Sequence, residues 1–253
     1  SFDRSLVTLA TEAGANCLFN CPVISVSKGL VELASKKKVS AQVIIGADGP
    51  RSLVGRAIGK ENKELIYARQ ITVPLLKNHH STDIFLSDRT TGGYSWLFPK
   101  SNVAHIGVGV SANDRPALKQ LTSKLHSDLV VSGTVGQQTL AITGGVIPVG
   151  GPLQACQFDD DHLTLLAGDA AGLTNPITGA GIYSAIVSGT LAGDAAISWI
   201  QGNKSAGKSY TDEMSEIFGA SYEHALTKRK KLLEISDSGK ALKSANFRNA
   251  WIA

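Results

Sequence analysis

Hydrophobic positions change period several times along this chain of 253 residues, and each change marks a predicted element. From Phe2 to Ala13, apolar Phe2, Leu6, Leu9, Ala10 and Ala13 recur at helical spacing before Gly14, which predicts an amphipathic helix. Apolar residues then alternate in short runs through CPVISVSKGLVELASKKKVSAQVIIGADG, interrupted by Lys28–Gly29 and by Lys36–Lys37–Lys38. That pattern predicts short strands closing in a continuous apolar strand, Val43 to Ile45, expected to be buried on both faces. From about Glu64 to Pro148 come five strand-like runs, LIYARQITVPLL, STDIFLSD, GGYSWLFP, VAHIGVGV and LAITGGVIPV, with one helical pattern from about Pro116 to Val130. Such a run of strands predicts a second, antiparallel unit. A buried strand, Leu163 to Ala167, a Gly-rich loop, a helix from about Gly181 to Ile200 and a mostly helical remainder complete the pattern.

Composition narrows the picture only modestly. With 43% hydrophobic residues the chain can bury a sizeable core in one large or two small domains. A net charge of +4 is small. The basic runs Lys36–Lys38 and Lys228–Arg229–Lys230–Lys231 are short and lack interleaved aromatics, so both read as solvated faces or turns, and no nucleic-acid partner is expected. Three cysteines without a C-x-x-C suit neither a metal set nor a disulfide framework, and point to a reducing, cytoplasmic compartment. No apolar run nears the ~20 residues that span a bilayer and no signal peptide opens the chain, so the protein is expected to be soluble or to rest on a membrane.

Two motifs mislead. GNKSAGKS, from Gly202 to Ser209, fits the phosphate-binding G-x-x-x-x-G-K-S letter for letter. Backbone amides converge on phosphates there only when a strand enters the loop, and here two helical patterns flank it. It reads as an interhelical turn, with Ser205 or Ser209 placed to cap the following helix. Gly107-x-Gly109-x-x-Ala112 imitates a dinucleotide fingerprint, yet runs into Asn113–Asp114–Arg115–Pro116 instead of directly into a helix. It reads as a glycine-rich strand end.

Two others have the right context. In VIIGADGPRSLVGR a strand stops at Gly46, turns through Asp48–Gly49, and places Ser52 to cap a short helix. In LTLLAGDAAGLTNPITGAGIYSAIVSGTLAG a strand again feeds a Gly-rich loop and a helix, with Gly168, Asp169, Pro176, Gly179, Ala180 and Gly181 between them. Such loops lie at the carboxyl ends of parallel strands, where open α/β sheets bind ligands, and a helix N-terminus adds positive potential.

These two elements resemble flavin signatures of the FAD-dependent oxidoreductases of the p-hydroxybenzoate hydroxylase fold, in the same order around a β-rich insert. Tyr94, Trp96, Phe98 and Pro99 of GGYSWLFP match the lipid-cavity segment of the geranylgeranyl reductase family, and GGVIPVGGP adds to that narrower likeness. Thr91 stands where that segment has its first proline. The resemblance implies an α/β fold, α+β overall. An incomplete Rossmann-like FAD-binding domain would carry an inserted antiparallel substrate domain and a helical C-terminal region. Its parts would be residues 1–62, with the Asp48–Gly49 motif; 63–150, the substrate domain; 151–200, with the Gly168–Asp169 motif and its helix; and 201–253, the helical region.

The implied cofactor is FAD, held by Gly46, Asp48, Gly49, Gly168, Asp169, Pro176, Gly179, Ala180 and Gly181. Asp169 would hold a hydroxyl of its ribityl chain, and the helix near Gly181 would stabilise negative charge on the reduced ring. The implied reaction reduces carbon–carbon double bonds of a hydrophobic, isoprenoid-like substrate against Tyr94, Trp96 and Phe98, with NAD(P)H or another donor as reductant. No residue is assigned as proton donor, Tyr94 being the one suggestive group, and no metal is expected. The family's N-terminal G-x-G-x-x-G element is not found in the sequence, so a fragment, or a chain completed by another polypeptide, is expected. Three other readings stay open: a flavin monooxygenase or halogenase, a non-catalytic subunit completing an FAD site in another chain, and an ATPase resting on Lys208. The lysines near 228–231 leave room for peripheral membrane contact.

Overall fold

Element boundaries follow the hydrophobic periods closely in the computed structural model, which describes residues 2–90 and 92–237. Helix α1 (Phe2–Glu12) leads to strands β1 (Val23–Ser27), β2 (Leu30–Leu33), β3 (Lys38–Ser40) and β4 (Val43–Gly46), then to the short helix α2 (Leu53–Ala57). Next come β5 (Leu65–Pro74), β6 (Asp83–Phe85), β7 (Ser95–Lys100), β8 (Val103–Val110), helix α3 (Leu118–Val131) and β9 (Ala141–Pro148). Strands β10 (Cys156–Phe158) and β11 (Leu163–Leu166) precede the helices α4 (Ile182–Ile200) and α5 (Ala206–Asp237). Thr91, and the part of the expected helical region beyond residue 237, lie outside the described residues.

The strands form three sheets: β1-β2-β3, antiparallel; β10-β11-β4, in which β11 and β4 run parallel; and β6-β7-β8-β5-β9, antiparallel. In the five-stranded sheet, successive side chains face opposite sides, as pleating requires. Ile71, Val73, Leu97 and Ile106 join Leu125 and Leu129 of α3 in one core. Trp96 and Phe98 alternate with Leu97 along β7 and stack on each other, ring centroids 5.9 Å apart. Gly107 makes this possible, because a Cβ there would stand 2.3 Å from an indole carbon of Trp96. Gly107 and Gly109 thus lie inside β8, opposite Gln70 and Ala68 of β5, and form no dinucleotide loop.

A second core gathers β11, α4 and α5 around Leu163, Leu165, Leu166, Trp199 and Tyr210. All four residues of β11 are buried between its two neighbouring strands. For β4 the expectation of burial on both faces fails. Ile44 and Gly46 are buried, but Ile45 is 40% exposed. Among the described residues β4 pairs with β11 alone, and alternation turns Ile45 away from the core.

The GNKSAGKS stretch joins two helices, as its flanks indicate. Gly207, Lys208 and Ser209 already belong to α5, and Lys208 pairs with Asp212 one turn on. Asn203, not Ser209, serves the turn: its Oδ1 accepts from the amide and the hydroxyl of Ser205.

Candidate functional site

Because β4 and β11 are parallel neighbours, the loops that follow them leave the same end of the sheet. They use their carboxylates differently. After β4, Asp48 turns back on its own helix: Oδ2 accepts from the amides of Leu53 at 2.6 Å and Val54 at 3.2 Å, and Oδ1 from the hydroxyl of Ser52. Ser52 Oγ accepts in turn from the amide of Gly55 at 2.7 Å, so α2 is capped twice over.

After β11, the half-buried Asp169 takes one side-chain bond among the described residues, from the Thr174 hydroxyl to Oδ1 at 2.8 Å. Its backbone oxygen accepts from the Asn62 amide at 2.9 Å. The loop beyond is stiffened by Asn175, whose Oδ1 accepts from the amides of Ile177 and Thr178. Gly179, at φ +68°, lets the chain reverse. Helix α4 then starts at Gly181 with no side chain capping it, and its first-turn amides stand at the loop.

Two cavities result. The larger, of about 490 Å³, is walled by Gly49, Gly168, Asp169, Gly179 and Gly181 with Ile182 and Ala185. The smaller, of about 170 Å³, is lined by Tyr94, Trp96, Phe98, Ile66, Pro176 and Ile177. Ile147 and Gly179 belong to both walls, so a ligand in one cavity would lie beside a ligand in the other. Of the residues singled out by sequence, Gly49, Gly168, Asp169, Gly179 and Gly181 line the larger cavity, and Pro176, Tyr94, Trp96 and Phe98 line the smaller. Gly46, Asp48 and Ala180 line neither. Gly46 packs against Val54 and Leu166, and Ala180 is exposed.

Tyr94 donates its hydroxyl to the backbone oxygen of Thr178, tying the five-stranded sheet to the loop before α4. Burial pushes its pKa up, which makes the phenol a weaker acid.

Sequence reasoning missed Arg229. The run Lys228–Lys231 does not form one solvated face: Lys230 and Lys231 are exposed, while Arg229 is 8% exposed and lines the smaller cavity. Its Nη1 donates to the backbone oxygens of Gly92 at 2.7 Å and Pro176 at 3.1 Å. Tyr210, Met214, Phe218, Tyr222 and Ala225 are buried on α5, and Arg229 continues their spacing of three to four residues. That apolar stripe, prolonged by one turn, was the available signal.

No family model matches the chain. It is 30% identical over 258 residues to digeranylgeranylglycerophospholipid reductase 2 of Methanopyrus kandleri, covering 93% of this chain and 64% of that protein. The chain thus spans just under two thirds of the length of this curated relative. Among solved structures, a geranylgeranyl bacteriochlorophyll reductase-like protein of Thermoplasma acidophilum superposes with a TM-score of 0.79 at 25% identity, over 98% of this chain and 70% of that one. A probable FAD-dependent monooxygenase of Pseudomonas aeruginosa superposes with a TM-score of 0.67 at 18% identity, over 99% of this chain and 72% of its own, and shares the fold. Among the described residues no helix is long and apolar enough to cross a membrane.

Proposed function

We propose that this chain, a homologue of the geranylgeranyl reductases, holds FAD in the larger cavity and serves the reduction of carbon–carbon double bonds in an isoprenoid chain held in the smaller. The observation that carries the reading is the shared wall: Ile147 and Gly179 bound both cavities, which is the juxtaposition a redox ring and its substrate need.

The residues present fit FAD. A Cβ built on Gly49 or Gly189 would meet nothing within 4 Å, so the larger cavity offers backbone and open space to a flat ring. The uncapped start of the 19-residue α4 supplies amides and a positive end for an electron-rich ring edge. Asp169, with Oδ1 held by Thr174, supplies acceptors for hydroxyls of a ribityl chain. When bound, FAD would supply two-electron redox chemistry beside the wall the two cavities share, with NAD(P)H or another donor as its reductant.

The chain's own residues position and seclude. Trp96 and Phe98 give the smaller cavity a stacked aromatic wall that excludes water and accepts apolar chains. Tyr94 and Arg229 fasten the turn at Gly92, the sheet and the Pro176–Thr178 loop to one another, so both walls keep their spacing. Tyr94 is poorly suited to protonate a product carbon, because its hydroxyl hydrogen is engaged by Thr178 and its acidity is lowered by burial.

The test is to supply FAD, a reductant and a polyprenyl substrate to the protein and to weigh the product. A mass gain of two per double bond, without oxygen uptake, is the expected result. Incorporation of oxygen into the product would favour the monooxygenase alternative that the shared fold keeps in view.

A further inference from the structure

Past the ends of β4 and β11 the backbone ladder between them stops. Its last rung runs from the amide of Ala167 to the backbone oxygen of Gly46 at 3.0 Å. Beyond it both loops enter the wall of the larger cavity, one with Ala47 and Gly49, the other with Gly168 and Asp169. Among the described residues no backbone hydrogen bond joins the two loops there. One side chain does. Asn62, half-buried and three residues before β5, donates through Nδ2 to the backbone oxygen of Pro50 at 3.1 Å and to that of Asp169 at 2.9 Å. Carbonyl oxygens only accept, so the N–H groups of this amide are both spent across the gap between the loops. Its other end rests on the second loop: a Cβ on Gly172, which turns at φ +73°, would stand 3.0 Å from Asn62 Oδ1.

We infer that Asn62 is a positioning residue for the cofactor: it sets the spacing of the two loops and thereby the seat of Asp169 in the cavity wall. This rests on the proposed reading of the larger cavity as the FAD site. Asn62 is not among the residues that line that cavity, so it acts through Gly49 and Asp169. Asp169 is fixed at both ends, its carboxylate by Thr174 and its backbone oxygen by Asn62 and the Gly172 amide. Thr174 and Gly172 belong to the same loop as Asp169 and tie that loop to itself. The Asn62 bond is the one that relates it to the loop of Gly49, and losing it leaves two carbonyl oxygens on facing segments without their shared donor.

The experiment compares wild type with Asn62→Leu, close in volume and without N–H donors, and with Asn62→Gln, which keeps the donors one methylene further out. The first readout needs no cofactor. Amide hydrogen exchange followed by NMR should speed up together in both loops of Asn62→Leu, by roughly tenfold at Leu53 and Val54, bonded to Asp48, and at Gly172 and Leu173, bonded within the second loop. The second is an absorbance titration with FAD, in which Asn62→Leu should bind roughly tenfold more weakly than wild type and Asn62→Gln within about threefold of it, at matching midpoints of urea unfolding. If Asn62→Leu does not fold, Asn62→Ala takes its place under the same criteria. Faster exchange in one loop alone, wild-type FAD affinity in the folded variant, or a loss in Asn62→Gln equal to that in Asn62→Leu overturns the inference and leaves the FAD reading standing. No uptake of FAD by wild type removes that reading, and this inference with it.

Discussion

The loops after β4 and β11 have the same grammar, a strand, glycine, aspartate, a turn and a helix, but they use it for opposite ends. Asp48 serves the N-terminus of α2, which becomes a closed unit. Among the described residues Asp169 makes a single side-chain bond, to Thr174, and the helix that follows it has no side-chain cap where it meets the larger cavity. Two aspartates in matching sequence contexts therefore divide into one that caps a helix and one that lines the larger cavity. What separates them is distance along the chain. Asp48 stands five residues before the start of α2, within reach of its amides, whereas Asp169 stands thirteen before that of α4.

That contrast can be broken by exchanging which property each residue controls. The largest effect is expected from Asp48→Ala, which removes three hydrogen bonds to the start of α2. Urea unfolding should show a loss of about 2–3 kcal/mol, with FAD affinity of the folded fraction little changed. Asp169→Ala should do the reverse. FAD binding should weaken by about 1.5–3 kcal/mol, roughly 10- to 150-fold by absorbance titration, at nearly constant stability. Unaltered FAD affinity in that variant, or a stability loss matching that of Asp48→Ala, would erase the distinction between the loops.

Gly181→Ser sharpens it. A serine there gives α4 the cap it lacks, at the expense of tight contacts with Thr174 Oγ1 at 3.2 Å and Asp169 Oδ1 at 3.3 Å. With the first-turn amides partly satisfied, FAD affinity should fall roughly two- to fivefold while stability moves by a few tenths of a kcal/mol. Tighter FAD binding would mean that the open helix end is not used by the ligand.

The smallest effect concerns a third aspartate. Asp159 accepts from the amides of His162 and Asp161 and pairs with Lys28, and these bonds hold its pKa well below the usual carboxylate value. A depressed folded-state pKa contributes stability that is complete above the unfolded value, about 4, and is lost as pH falls through the folded one. Asp159→Asn should therefore flatten the stability curve below about pH 4. FAD binding at neutral pH should be unchanged, as Asp159 belongs with Asp48 among carboxylates engaged by local backbone.

Much of this was legible in the sequence, and the physical reason is locality. Alternation in VISVS, SWLFPK and VAHIGVGV and the helical spacing after Gly181 are short-range signals, and those elements lie where they predict. The two decoys also failed on local grounds, since their flanking residues have the wrong period. Long-range facts were not legible. That Asp48 bends toward α2 depends on the path of Pro50 and Arg51, and that Tyr94 reaches Thr178 depends on how a sheet and a loop 84 positions apart meet. Arg229 lies between these cases. Its charge suggested solvent, whereas its phase on α5 placed it inside, and packing of the helix decided for phase.

The stripe on α5 carries a consequence for how such a chain can vary in length. Near one end Tyr210 donates to the backbone oxygen of Leu166 at 2.6 Å, and nineteen positions later Arg229 holds Gly92 and Pro176. One residue inserted between them would rotate everything beyond it by about 100° and advance it by about 1.5 Å. The guanidinium would then leave the cavity wall and Lys228 would take its place on the helix. Drift in length within this segment would break one of the two attachments, and the helix acts as a ruler whose divisions are set by the two loops it touches.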